Sequence, residues 1–152
     1  MIERDQTESI ELLTFQLGDQ EYSLDIMSVR EIRGWTRTTP LPHAPSYIRG
    51  VINLRGTILP VMNLAERLGL KNSNHTHRNV IIVVSLGDAM TGLMVDAVSD
   101  IIAITSNDLQ TPPEVQPNSG KSVVSALTLK DDRMLRILDL GAIVNFEKVN
   151  AA

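Results

Sequence analysis

Arg55 is the residue whose surroundings first suggest chemistry, because it carries the one full charge between Gly50 and Leu64. Leu54 and Gly56 flank it, so the guanidinium either lies at a turn or is held there for a purpose. A charge among apolar neighbours is costly unless it is paired. We therefore predict an ion pair with Glu31, in which the planar fork of arginine suits a two-bonded carboxylate contact. Such a pair would position Arg55 for a partner.

Other candidates for catalysis are few. His75 and His77 could bind a metal, but they lie in a polar stretch with no acidic cluster beside them. The neighbouring acids Asp131 and Asp132 have the setting of a solvated turn, and no nucleophile elbow, phosphate loop or dinucleotide fingerprint occurs. The chain has no cysteine, which excludes thiol catalysis and thiolate zinc sites. A binding module is favoured over a metal-dependent hydrolase or a small-molecule-binding barrel.

Composition sets further limits. With 152 residues, 43% of them hydrophobic, and a net charge of −4, the chain fits one domain or two small barrels. The negative charge argues against nucleic-acid binding. The longest apolar run, 80–84, is far shorter than the roughly 18 residues of a membrane span, and the N-terminus lacks a signal-peptide pattern. We expect a cytoplasmic protein without membrane insertion.

Strand signals dominate the chain. Short apolar or alternating runs separated by glycine, aspartate and proline recur every 8–12 residues or so, and no long helix is predicted. The predicted strands are 10–17, 21–26, 57–62, 80–86, 91–95, 98–104, 123–129 and 134–138, while 28–32 fits either a short helix or a strand. One or two helical turns are predicted at 64–68 and 139–144. This spacing is typical of a β-sandwich or of small barrels.

An internal repeat is the most informative pattern. The turn Leu17-Gly18-Asp19 matches Leu86-Gly87-Asp88, and in the same register Glu31 falls on Asp100. Later, 58–64 matches 134–140, with one extra residue expected in the Asp131-Asp132 turn. Leu54-Arg55 is thereby matched with Leu129-Lys130, which predicts a weaker Asp100–Lys130 counterpart of the Glu31–Arg55 pair. Halves this small should pack on one another.

Several motifs together resemble the CheW family of chemotaxis coupling proteins. They are Glu21-Tyr22-Ser23-Leu24-Asp25-Ile26, Val29-Arg30-Glu31-Ile32, the block 42–56 that ends in Asn53-Leu54-Arg55-Gly56, the segment 92–100, and Asp131-Asp132-Arg133-Met134-Leu135. The similarity covers roughly residues 10–145. Two departures, Asn63 for an aspartate and Ala65 for an arginine, fall at the predicted helix 64–68.

This resemblance implies a mainly β fold of two five-stranded, SH3-like barrels packed on a shared core, with short helical turns. We expect one domain at 10–145 made of barrels at roughly 10–70 and 79–145, with strand exchange allowed and flexible termini at 1–9 and 146–152. The implied function is that of an adaptor, without catalysis or cofactor. Its implied partners are the regulatory domain of the histidine kinase CheA and the cytoplasmic tips of methyl-accepting chemoreceptors, in membrane-associated receptor arrays.

Site residues follow from the resemblance by position. It implies receptor contacts for Val29, Glu31, Arg55, Val80 and Val98, and kinase coupling for Gly50 and Arg55. No metal ligand is implied. The valines would line an apolar groove that accepts a receptor helix, although buried strand valines are usually core. Gly50 would equally be explained by its backbone conformation alone.

Overall fold

The computed structural model describes residues 8–70, 79–113 and 123–144. In these ranges the strands are β1 (Ser9–Leu17), β2 (Gln20–Asp25), β3 (Val29–Gly34), β4 (Ile48–Leu54), β5 (Thr57–Asn63), β6 (Val80–Leu86), β7 (Ala89–Val95), β8 (Ala97–Thr105), β9 (Val124–Lys130) and β10 (Arg133–Leu138). The helices are α1 (Leu64–Arg67) and α2 (Leu140–Ile143), and 3-10 turns lie at Ile26–Ser28 and Ser106–Asp108. Apart from residues 8 and 9, the predicted flexible termini lie outside the described residues.

The strands form two five-stranded sheets, each curled around its own apolar interior. The first barrel has the strand order β8-β1-β2-β10-β9, and the second has β3-β6-β7-β5-β4. Each therefore takes strands from both halves of the chain, and neither is confined to residues 10–70 or 79–145. Parallel pairing joins the halves, between β2 and β10 in the first barrel and between β5 and β7 in the second. The predicted mainly β fold with two five-stranded units is confirmed.

The internal repeat extends to fine details of strand pairing. Val29 lies opposite Val84 between β3 and β6, and Val98 lies opposite Phe15 between β8 and β1. In both pairs of strands the register shifts immediately afterwards, so that one residue of β3 or β8 bulges out. Bulges bend a strand and re-aim the side chains that follow. Glu31 and Asp100 follow these bulges, as their predicted equivalence requires.

A shared core joins the two barrels. Its buried members come from both sheets and both helices: Leu13, Phe15, Leu17, Tyr22, Leu24, Met62, Leu64, Ala65, Ile82, Val84, Leu93, Val95, Leu138, Leu140 and Ile143. Each barrel also has an inner cluster, built in the second barrel around Leu59 and Val61 and in the first around Leu12 and Ile104. Full burial of one such side chain stabilises the fold by about 1.5–3 kcal/mol, so the junction contributes much of the folding free energy.

The helices α1 and α2 follow the last strand of each half and are capped alike. Asn63 accepts a hydrogen bond from the Glu66 amide at 3.2 Å, and Asp139 accepts one from the Ala142 amide at 3.3 Å. Asparagine and aspartate are equally good N-caps. The Asn63 departure therefore leaves the helix start intact, and Ala65 is buried in the shared core, where an arginine would lack solvent.

Candidate functional site

Glu31 and Arg55 form the predicted ion pair. The Arg55 Nη2 lies 2.7 Å from Glu31 Oε1, which confirms the pairing expected from the sequence, but through one hydrogen bond and not the predicted two. Arg33 donates to the second oxygen of the same carboxylate at 3.1 Å. Glu31 thus accepts from two arginines on neighbouring elements, the strand β3 and the β4–β5 turn, so the carboxylate fixes the direction in which Arg55 points.

The local sequence explains why Arg55 projects from the surface. Arg55 and Gly56 form a two-residue turn with φ values of 51° and 90°, and the Gly56 amide donates to Asn53 Oδ1 at 2.8 Å. Turns with positive φ at both central residues match the twist of the strands that they join. The Arg55 side chain is 71% exposed, whereas that of Glu31 is 26% exposed. A half-buried carboxylate therefore holds a solvent-facing guanidinium.

Electrostatics keep this pair charged. The hydrogen bond from Arg55 lowers the pKa of Glu31 below its ordinary value, and the bond from Arg33 lowers it further. The same contact raises the pKa of Arg55 above its ordinary value. Both groups are therefore ionised at neutral pH, and the pair presents the Arg55 guanidinium to solvent in a fixed direction.

The predicted Asp100–Lys130 pair is wrong. Lys130 Nζ donates to the Ala103 carbonyl oxygen at 3.4 Å, and Asp100 lies instead 3.5 Å from Arg133. The two hairpins explain the error: Leu54 pairs with Thr57, and Lys130 pairs with Arg133, so both turns contain two residues. No extra residue exists in the Asp131-Asp132 turn, and Lys130 corresponds to Leu54 and not to Arg55.

In the first barrel, Arg133 and not Lys130 is the basic residue that pairs with the acidic side chains. It binds the Glu21 carboxylate through two nitrogens, one of them at 3.1 Å, and this contact raises the pKa of Arg133. Asp100 also accepts a hydrogen bond from the buried Thr14 hydroxyl at 2.6 Å, which lowers the pKa of Asp100. This cluster joins β1, β2, β8 and β10, and so connects strands from both halves of the chain.

The three candidate valines lie at the margin of the shared core. Val29, Val80 and Val98 are all half-buried, and all pack against that core. Val29 is on β3, Val98 is on β8, and Val80 lies opposite Gly34 at the other end of β3. The fold thus brings the valines to the junction between the barrels, whereas Arg55 lies in a turn of the second barrel.

Gly50 lies inside the second barrel and not on its surface. It is buried on β4 with φ at 139°, a conformation that residues with side chains rarely adopt. A role of Gly50 in kinase coupling would therefore depend on the backbone conformation at this position and not on a side-chain contact.

Arg67 makes contacts that the sequence did not indicate. From α1 it donates to the carbonyl oxygens of Ala142 at 2.9 Å and Ile143 at 3.0 Å, at the end of α2. Its guanidinium also lies over the Tyr47 ring, 5.4 Å from the centroid. The partners are far apart in sequence, so no local pattern could have predicted this arrangement.

Two features of the structure bear on the alternatives to a binding module. His75 and His77 lie outside these residues, and within them no group of three or more potential ligands could hold a metal ion. The first barrel has a cleft of about 330 Å³, lined by apolar residues such as Leu12 and Ile137 together with Asp25 and Asp139. Among the helices that the structure describes, none has the length and apolar character needed to cross a membrane.

Comparisons with known proteins agree on one family. The sequence pattern of the CheW-like domain matches residues 11–148. The chemotaxis protein CheW of Rhizobium meliloti is 44% identical over 142 residues, which cover 93% of this chain and 92% of that protein. The probable chemotaxis protein CheW of Rhizobium etli is 45% identical with the same coverage. The crystal structure of the scaffolding protein TtCheW from Thermoanaerobacter tengcongensis superposes with a TM-score of 0.83 at 33% identity, covering 90% of this chain and 92% of that one.

Proposed function

Since the chain belongs to the CheW-like family and has the scaffold role of that family in chemotaxis, we propose that it couples two partners. They are the cytoplasmic tips of methyl-accepting chemoreceptors and the regulatory domain of the histidine kinase CheA. The chain is an adaptor without turnover of its own. It acts in the cytoplasm, is recruited to membrane-receptor arrays, and neither inserts into the membrane nor binds nucleic acid.

The observation that carries this proposal is the half-buried apolar margin at the junction of the barrels. Val29, Val80 and Val98 pack on the shared core and keep part of their surface open to solvent. An amphipathic helix binds a groove of this kind by laying its apolar stripe into it. The helical hairpin of a receptor tip would present such a stripe to the margin.

The second partner surface is centred on Arg55. Its guanidinium faces solvent and is directed by the Glu31 carboxylate, so it can meet an acidic or carbonyl group on the kinase domain without losing its own pairing. Glu31 and Arg55 also lie next to the proposed receptor groove, because Val29 of that groove precedes Glu31 by two residues on β3. Gly50 supports kinase coupling from inside the same barrel.

A binding experiment with both partners tests the proposal. We expect the purified chain to retain a receptor cytoplasmic fragment and the kinase regulatory domain, each alone and both together, in pull-downs and by calorimetry. Binding of only one partner, or competition between the two for a single surface, would contradict the adaptor role. Hydrolysis of ATP by the purified chain would contradict the absence of catalysis.

A further inference from the structure

A segment of the second barrel, residues 38–47, pairs with the edge strand β4 and is here named the strap. Thr39 and Val51 exchange two backbone hydrogen bonds, 2.9 Å from the Thr39 amide and 2.8 Å from the Val51 amide. The Thr38 hydroxyl donates to the Arg49 carbonyl oxygen at 3.1 Å. At the far end of the strap, the Asn63 amide donates to the Tyr47 carbonyl oxygen at 2.7 Å. The strap is therefore fastened at both ends.

Gly50 leaves the space through which the strap passes. A Cβ on Gly50 would lie 2.3 Å from the Thr39 carbonyl oxygen, 2.7 Å from its carbonyl carbon and 3.0 Å from the Pro40 nitrogen. These are backbone atoms, which cannot rotate away as a flexible side chain would. The φ of 139° adds a second reason for glycine. Any side chain at this position must push the strap off β4.

Displacement of the strap would reach the junction of the barrels. Tyr47, its last residue, packs against the shared core and carries the Arg67 guanidinium on its ring. Arg67 in turn donates to the last carbonyl groups of α2, in the other half of the chain. A continuous series of contacts thus runs from Gly50 through the strap to α2.

The first barrel supplies an internal comparison. There Gln110 and Leu127 exchange the equivalent two backbone hydrogen bonds, both at 2.8 Å, and the Asp139 amide donates to the Val123 carbonyl oxygen at 2.8 Å. The position that corresponds to Gly50 is Ala126, which pairs with Ile137 beside the same kind of register shift at which Gly50 pairs with Val61, but without the positive φ of Gly50. A methyl group is therefore tolerated in the first barrel, and the glycine requirement belongs to the second barrel alone.

We propose that Gly50 is a positioning residue that seats the strap and thereby holds Tyr47 against Arg67 at the junction. The proposal rests on the proposed function in one respect, because β4 also leads into the Arg55 turn that is proposed there as the kinase surface, and a strap that lifts off β4 releases the strand that positions Arg55. We expect substitutions that remove the hydrogen bonds at either end of the strap to displace it in the same way as substitutions at Gly50.

Amide hydrogen exchange on the isolated chain tests this directly. In Gly50→Ala the Thr39 and Val51 amides should exchange at least tenfold faster than in the wild type. The Gln110 and Leu127 amides of the same molecule should not change, and Ala126→Gly should alter neither set. Equal acceleration at all four amides would mean general loosening of the fold and would overturn the proposal.

A spectroscopic readout separates positioning from simple destabilisation. Because the Arg67 guanidinium lies over the Tyr47 ring, we expect the ring current to shield the Arg67 side-chain protons, so their NMR resonances should move downfield in Gly50→Ala. Thr38→Val removes one fastening of the strap without strain at Gly50, and it should shift the same resonances by a smaller amount. This second variant decides the question even if Gly50→Ala does not fold. Unchanged Arg67 resonances in the folded variants would refute the proposal.

Kinase binding completes the test. Gly50→Ala and Thr38→Val should both weaken binding of the kinase regulatory domain, in the same order in which they shift the Arg67 resonances, whereas Ala126→Gly should bind as the wild type does. Loss of kinase binding that does not follow this order would overturn the route through the strap. Failure of the wild type to bind the kinase would contradict the proposed function, and the exchange and NMR results would still decide the role of Gly50.

Discussion

The Nε of Arg67 lies 3.0 Å from the carbonyl oxygen of Ile143, so a side chain from the first helix completes the end of the last one. The last carbonyl groups of a helix have no partner within the helix and need one from elsewhere. Arg67 supplies two donors to α2, while the α1 backbone is closed by Gly69, at a φ of 79°, and by Leu70. The first half of the chain thus donates hydrogen bonds to the helix end of the second half, whereas the end of α1 is closed by amides of its own half.

Removal of this contact should cost stability. In Arg67→Ala two carbonyl groups of α2 lose their donors, and we expect the free energy of unfolding to fall by about 1–3 kcal/mol. Denaturant unfolding measures the change. Arg49→Ala is the matched control, since Arg49 makes a longer 3.5 Å contact to Glu66, and its effect should be smaller. Equal losses in both variants would contradict the special role of Arg67.

Val98→Glu should weaken binding of a receptor cytoplasmic fragment by at least tenfold, because it places a charge in the proposed apolar groove. Kinase binding and the circular dichroism spectrum should stay close to those of the wild type. Leu129→Glu is the control, since Leu129 is 60% exposed on the outer hairpin of the first barrel. If Val98→Glu unfolds the chain, Val98 is a core residue and the groove is misplaced.

Arg55→Ala should reduce affinity for the kinase regulatory domain about tenfold, yet lower the melting temperature by less than about 2 °C, since exposed ion pairs contribute little stability. Arg55→Lys should recover only part of the affinity, because an ammonium group cannot reproduce the planar fork. Arg30→Ala, at an exposed arginine of the same barrel, serves as the control. Parallel losses of affinity and melting temperature would identify Arg55 as merely structural.

Acid should weaken the fold partly through Glu31. Its pKa is lowered in the folded state by Arg55 and Arg33, so its contribution is present above the ordinary carboxyl pKa of about 4.3 and is lost as the pH falls through the lowered value. Glu31→Gln should therefore melt below the wild type at pH 7, and the two melting temperatures should converge once the pH falls well below the lowered pKa of Glu31. A constant difference between them across this range would falsify the ionic role.

Local patterns predicted most of the elements, but no predicted strand covered β4 (Ile48–Leu54). The runs 10–17, 80–86 and 134–138 became β1, β6 and β10 with shifts of a residue or less at either end, because their apolar residues and turn signals leave few alternatives. The segment 28–32, which fitted helix or strand, is β3 from Val29, preceded by a 3-10 turn. Burial alternates along β3, but its half-buried positions include Glu31 and Arg33 while Ile32 is exposed, so the apolar pattern did not decide between helix and strand.

Pairing between distant segments was less accessible from sequence. The Glu31–Arg55 pair could be predicted because Arg55 is the one charge in its apolar block and needs a partner, although Glu31 has Arg30 beside it. The same argument failed for Asp100. The alignment of the two halves gave Lys130 as its basic partner, whereas Arg133, on the far side of the turn, reaches the carboxylate. Such a choice depends on turn length and on which strands lie side by side, and these are set by packing across the whole molecule.

The exchange of strands between the barrels has a consequence for how such a chain could arise. The first barrel needs β8, β9 and β10 from the second half, and the second needs β3, β4 and β5 from the first. A half-length ancestor could not have completed a barrel by itself, but two copies could have completed each other by swapping strands. The present fold has the form of such an interlocked dimer fused into one polypeptide. Chain scission between α1 and β6 should therefore give fragments that fold only in each other's presence.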